Sequence, residues 1–238
     1  MVSSIIFPLF FLFIFGSGLG SRLGLLGPGV NFSQFMFPGV IGMTVFMGSF
    51  MGGVSVVWDR EFGFLKEVLV APISRTSVAL GKTLGSATIA LIQGVITLIF
   101  APLIGVYPSA LTVLSLLPLM FLLAVTMGAF GVLLATRIKS MQAFQVVMQM
   151  LMFPMMFLSG VFFPVEGLPG WMNFLVKINP ATYGIAPIRQ VMLGGGSGST
   201  FGISLFGHNM SLWDNVGVLA GFGIVIMLMA IWSFRTQG

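Results

Sequence analysis

The chain has 238 residues, of which 57% are hydrophobic and only 6% charged, against about 25% charged residues in ordinary soluble domains. That composition excludes a water-soluble fold, and the absence of cysteine excludes disulfide frameworks, thiolate metal centres and cysteine nucleophiles. The net charge of +5 reads on so apolar a chain as an orientation signal rather than as affinity for nucleic acid, and no nucleic-acid partner is expected.

The charges cluster, leaving uncharged runs such as Met1 to Ser21, Thr83 to Thr136 and Asn215 to Phe234. Each reaches the ~20 residues that a helix needs to cross the hydrocarbon core. The expected fold class is therefore an all-α integral membrane protein, one domain over 1–238, with six transmembrane helices at about 2–19, 35–57, 83–106, 111–136, 141–163 and 212–234. The first span starts at the initiator Met with no basic residue ahead of it, unlike the positive n-region of a signal peptide, and points to a shortened or misassigned start. The run from Thr83 to Thr136 is too long for one crossing, and Tyr107-Pro108-Ser109 divides it into an outer hairpin. Seven basic residues (Arg60, Lys66, Arg75, Lys82, Arg137, Lys139, Arg235) gather on one face, and Arg22, Lys177 and Arg189 on the other. The first face is expected to be cytoplasmic, with both termini inside a multi-pass protein of the cell (inner) membrane.

Between the second and third spans, Asp59, Arg60, Glu61, Lys66, Glu67, Arg75 and Lys82 accompany apolar Phe62, Leu65, Val68 and Leu69 at helical spacing, and Pro72 follows. The pattern predicts a short amphipathic helix over 59–70 along the inner membrane face, with Ser74 capping the helix that leads through Lys82 into the third span. A solvated loop with snorkelling Lys and Arg would have the same composition.

The stretch from Trp58 to Arg75, followed by Gly81-Lys82, resembles the signature after the second span of ABC-2 type exporter permeases, especially the daunorubicin-resistance-like drug and lipid exporters. A second block agrees: Phe157 to Pro164, then Leu168-Pro169-Gly170-Trp171 and Ile178-Asn179-Pro180-Ala181-Thr182-Tyr183, is similar to that family's end of span five and its outer loop. The resemblance implies a half-transporter. Two permease copies, a homodimer, pair with two copies of a separate ABC-type ATPase subunit whose closure pushes on the 59–70 coupling helix. Arg60 and Glu61 match the family's most recurrent polar positions. The expected ATPase-coupling set is Asp59, Arg60, Glu61, Phe62, Leu65, Lys66, Glu67 and Leu69, apolar side chains seating in the partner and charges setting register. Such permeases usually carry a cytoplasmic amphipathic helix before span one, which this sequence lacks.

Energy is expected from that partner. Thr76 to Thr83 ends in Gly-Lys-Thr but has Thr76 where a P-loop requires glycine and no strand before it. Ion coupling generally needs an ionisable group inside the membrane, whereas Asp59, Glu61, Glu67, Glu166 and Asp214 all map to loops or interfaces, and His208 to the outer loop. The chain is thus read as a permease and not an enzyme, without cofactor or metal, ATP being bound by the partner subunit.

A possible substrate path follows span five. Gln142, Gln145 and Gln149 share one helical face, with Met156 and Ser159 on its extension and Pro154 as a possible kink. The amides fit either interhelical hydrogen bonds or a polar lining; the methionines fit either packing or a surface admitting varied greasy ligands. Gly48, Gly52, Ala124, Gly128, Gly131, Gly217 and Gly221 are expected at close helix contacts. The outer loop 164–211 is unusually apolar, and Leu168 to Ile178 predicts a helix lying at or dipping into the outer interface, a candidate lid, before a flexible break at Gly194 to Gly198. The expected cargo is a hydrophobic drug-like or lipid-like molecule, with membrane lipid as surroundings. The alternatives are a polysaccharide or lipid-linked glycan exporter and a non-transporting scaffold that recruits a soluble protein.

Overall fold

The computed structural model describes residues 6, 8, 10, 12–14, 32–63, 74–138, 140–162, 165, 168–193, 204–205 and 208–235. Most of the predicted first span lies outside them; its helical positions include Leu12, whose side chain enters the core. The helices are α1 (Phe32–Ser49), α2 (Met51–Glu61), α3 (Arg75–Ile99), α4 (Ala110–Arg137), α5 (Met141–Phe157), α6 (Gly170–Ile178), α7 (Pro180–Leu193) and α8 (Leu212–Arg235), with a 3-10 turn at Ala101–Ile104. The two-residue segments β1 (Ser204–Leu205) and β2 (His208–Asn209) pair antiparallel.

Four described helical stretches are long and apolar enough to cross a membrane: Ser33–Glu61 (α1 running into α2), Arg75–Ile99, Ala110–Arg137 and Leu212–Phe234. Serine caps begin several helices. The Ser74 hydroxyl accepts from the Ser77 N–H at 3.1 Å and starts α3 where the sequence placed its cap, satisfying one of the orphan donors of the first turn. Ser109 and Ser140 do the same for α4 and α5. At α8, the Ser211 N–H donates to Asp214 Oδ2 at 2.9 Å, and the Asp214 N–H donates back to the Ser211 hydroxyl, a reciprocal box. Gly105, at φ +75, turns the chain from the 3-10 segment toward Ser109, and α3 and α4 form the expected hairpin.

The predicted fifth span is shorter than expected. α5 ends at Phe157 rather than 163, because Leu158 caps it and Gly160 adopts φ +79, a left-handed conformation that ends helices at little cost only for glycine. Its 17 residues rise about 26 Å, less than the ~30 Å hydrocarbon core.

α4 is the centre of the bundle, packing on α1, α2, α3, α7 and α8. Glycine lets the backbones touch: a Cβ on Gly53 would lie 2.3 Å from the Gly131 carbonyl oxygen. Two expected contacts fail. Gly217 and Gly221 of α8 face open space within this chain, and Gly223 instead meets the Thr126 hydroxyl of α4, since two residues, about 200° of helical rotation, separate Gly223 from Gly221.

The largest correction concerns 164–211. α6 forms where predicted and presents Trp171, Phe174, Leu175 and Ile178 outward. α7, which the apolar-loop reading lacked, is buried almost throughout. Ile185 packs where a Cβ on Gly42 would be, Gly184 packs on Leu123 in the middle of α4, and the Tyr183 ring stacks on Phe222 at 6.0 Å. The start of α7 is thus level with the middle of the crossing helices, so α6 and α7 form a re-entrant hairpin. Polar groups close its tip: Asn179 Nδ2 donates to the Met155 carbonyl at 2.6 Å, Thr182 Oγ1 to those of Val176 and Leu158, and the Tyr183 hydroxyl to that of Lys177 at 2.7 Å. Arg189, expected on the solvated outer face, is enclosed (3% exposed). Its Nη2 donates to the Gly160 and Val161 carbonyls at 2.6 and 3.3 Å, and the guanidinium lies 4.3 Å from the Phe35 ring centroid. An enclosed guanidinium needs such acceptors to offset its lost hydration.

Candidate functional site

Two regions combine the predicted site residues: the Arg-rich end of the bundle and the outward face of α5. At the first, Asp59, Arg60 and Glu61 form the last turn of α2, not the first turn of a separate helix. Phe62 caps α2, and Gly63 at φ +80 ends it for the same reason as Gly160. Leu65, Lys66, Glu67 and Leu69 of the predicted coupling set lie outside the described residues.

Arg60 turns back into the bundle. Its Nη1 donates to the carbonyls of Ile138 and Ala135 at 3.0 and 3.2 Å and its Nη2 to that of Thr136 at 3.5 Å, so one guanidinium caps the C-terminus of α4. The cation also lies at the negative end of the helix dipole. Arg75 caps α8 in the same way, through Phe234 O at 3.3 Å. Asp59 forms an ion pair with Lys82 of α3, and the Thr136 and Ser233 hydroxyls bond at 2.7 Å. The ends of α2, α3, α4 and α8 are therefore tied together by side chains. Glu61, Trp58 and Phe62 remain outward, Phe62 80% exposed and meeting Trp58 edge to face. The cap formed by Arg60 was missed from sequence, although α4 ends at Arg137 with no glycine after it, a sign that its last carbonyls need an outside donor.

Thr76 to Thr83, the P-loop-like run, is the opening of α3. Lys82 is engaged by Asp59, and the Thr83 hydroxyl donates to the Ala79 carbonyl at 2.9 Å.

α5 packs inward through Phe144, Met148 and Met156, while Gln142, Gln145, Val146, Gln149, Met150, Phe153 and Phe157 stay exposed along one face of the single chain. Next to that face, a cavity of about 490 Å³ lies between α1 and α5, lined by Met43, Met47, Gln149, Met152, Phe153 and Met156. Its volume falls in the ~300–1,000 Å³ range of small-molecule sites. Gln149 and Met156 are brought together as the spacing suggested; Gln142 and Gln145 share the exposed face but not the cavity wall. Ser159 is buried, and its hydroxyl donates to Met156 O at 2.6 Å, so it does not line this cavity. Met43 and Met47 were missed from sequence, though their spacing of four puts both on one face of α1.

Residues 1–193 match the family described as ABC-2 type transporter. The chain belongs to that family. It is 30% identical over 234 residues to the transport permease ycf38 of Cyanophora paradoxa, covering 92% of this chain and 80% of that one. It is 28% identical over 243 residues to the inner membrane transport permease YadH of Escherichia coli, covering all of this chain and 88% of that one. To nodulation protein J of Rhizobium meliloti it is 27% identical over 189 residues, 79% of this chain and 71% of that one. This ABC-2 permease is thus a membrane transport component of an ABC transporter and is not itself catalytic.

Proposed function

We propose that this permease exports a hydrophobic, drug-like or lipid-like molecule across the cytoplasmic membrane, as a homodimer driven by two copies of a separate ATPase subunit that binds and hydrolyses ATP. The observation that carries the proposal is the cavity of Met43, Met47, Gln149, Met152, Phe153 and Met156 beside the uncovered face of α5. Four thioethers and one ring make an adaptable apolar wall, and a single amide can orient a ligand's polar group. A glycan would need many more hydrogen-bonding partners. A second copy facing α5 would complete the wall and enclose Gln142 and Gln145.

The Arg-rich end supports the coupling role. Glu61, Trp58 and Phe62 face outward, available to a partner, while Asp59 and Arg60 connect that surface to α3 and α4. A push on the α2 end then moves four helix ends as a unit, whereas α5 is not tied in by these bonds and can shift relative to them. The count of basic residues favours a cytoplasmic Arg-rich end and cytoplasmic termini. The permease co-purified with its ATPase in nanodiscs is expected to show ATP turnover that rises when a lipophilic amphiphile is added. A complex whose turnover ignores lipophiles but responds to oligosaccharides would refute the cargo class, and a permease that recruits no ATPase would refute the export reading.

A further inference from the structure

Between them, α4 and α8 leave a groove of about 410 Å³, lined by Leu122, Val125, Thr126, Ala220, Gly223, Ile224, Met227 and Leu228. It is apolar apart from the Thr126 hydroxyl, which is occupied with the Leu122 carbonyl at 2.9 Å. Gly223 packs directly on Thr126 where α8 crosses α4, and this contact forms the floor of the groove. Its outer rim on α8 continues through Ile224, Val225, Leu228, Met229 and Trp232, all exposed.

Followed toward the Arg-rich end, the groove leads to one charge. Leu122, Thr126, Leu133 and Arg137 recur at spacings of four, seven and four along one face of α4; Ala220, Ile224, Leu228 and Trp232 recur every four residues along α8. Arg137 is exposed, and its guanidinium lies 6.0 Å from the Trp232 ring centroid. Among the described residues it has that ring and no carboxylate partner. From Thr126 to Arg137 is about 16 Å of helix, close to half of the ~30 Å hydrocarbon thickness. A headgroup held at the interface by Arg137 would therefore place its acyl chain in the groove.

We propose that Arg137, Trp232 and the α4–α8 groove form a binding site for one anionic glycerophospholipid, phosphate on the guanidinium and acyl chain along the groove, over the floor where Gly223 meets Thr126. Charge sets the headgroup preference, since Arg offers phosphate a planar, two-pronged donor. Trp232 supplies an interfacial aromatic ring beneath it. The groove separates this from diffuse attraction to a charged leaflet. The groove shares no lining residue with the α5 cavity, and the site is independent of which molecule the permease moves.

The test uses Trp232 as its probe. Phe replaces Trp58, Trp171 and Trp213 in the full-length permease, which is reconstituted in phosphatidylcholine vesicles containing dibrominated-chain phosphatidylglycerol or dibrominated-chain phosphatidylcholine. Quenching at equal mole fraction is expected to report a preference for phosphatidylglycerol of about fivefold, the worth of one basic residue near an anionic surface. Arg137→Gln should remove the preference and Arg137→Lys should retain most of it. Ala220→Phe, which fills the groove without touching the charge, should also remove it, with helicity by circular dichroism unchanged in each variant. Equal quenching by the two lipids overturns the proposal. So does loss in Arg137→Gln with full preference in Ala220→Phe, which would mean diffuse electrostatic attraction only.

Discussion

Arg60 sits in the segment expected to meet the ATPase, yet its guanidinium points onto the end of α4. Replacing it by alanine removes two hydrogen bonds of 3.0 and 3.2 Å, a longer one of 3.5 Å, and a cation at a helix C-terminus. Charged hydrogen bonds contribute about 1.5–3 kcal/mol each when enclosed, and a cation at a helix end about 0.3–1 kcal/mol at the surface. Arg60 is only partly buried, so water replaces part of the loss, and about 1–2 kcal/mol is expected overall. For a chain of this size that lowers Tm by about 2–8 °C. Arg60→Lys, able to reach fewer carbonyls from a point charge, should lose about half as much. Glu61→Arg and Phe62→Asp, at outward positions, should leave Tm unchanged and instead abolish partner-stimulated transport. The assay is thermal unfolding of the purified variants in one detergent, paired with ATPase pull-down. If Arg60→Ala melts like the parent but fails to bind the ATPase, Arg60 is a docking residue and its capping of α4 does not hold the helix ends together.

Gln149→Trp should fill the cavity and reduce transport by about tenfold with ATPase association intact, because it removes space rather than fold, whereas Ser159→Ala should transport normally; a vesicle flux assay that ranks them the other way contradicts the assigned path. Gly53→Leu should prevent accumulation of folded permease, since even a Cβ there lies 2.3 Å from Gly131 O, while Gly217→Ala, with nothing within 4 Å, should be neutral in a fluorescence size-exclusion profile. Arg189→Gln should destabilise by about 3 kcal/mol, as the Gly160 and Val161 carbonyls lose a charged donor inside the fold; an unchanged unfolding midpoint would show that α7 is held by packing alone.

The readable part of the fold was the part written in charge and capping. Uncharged runs located α1 with α2, α3, α4 and α8, and Ser74 and Tyr107-Pro108-Ser109 marked where α3 begins and where its hairpin with α4 turns. The predicted start of the coupling helix was misplaced because Asp59 and Glu61 suit a helix start electrostatically, but α2 arrives there already formed and ends only at Gly63; residues 64–70 lie outside the described residues. α7 was illegible for another reason. A helix apolar on all sides, with one arginine, has the same composition whether it lies on the interface or re-enters the bundle; Ile185 against Gly42 and Gly184 against Leu123 decide it, and those contacts join residues far apart in sequence. Arg189 was counted as solvated because its acceptors are backbone carbonyls, which leave no mark in the sequence. The Gln149 and Met156 pairing was legible from helical spacing alone, whereas the inward turn of Ser159 depended on where α5 stops.

The chain has no cysteine, so Gln149→Cys places a single thiol on the cavity wall. The permease carrying it, reconstituted in sealed vesicles with its ATPase, is expected to move a lipophilic dye only when ATP is supplied, and to stop once a methanethiosulfonate reagent has reacted at that position. Dye accumulation by the permease alone, driven by a sodium or proton gradient and indifferent to the reagent, would contradict both the external motor and the α5 route.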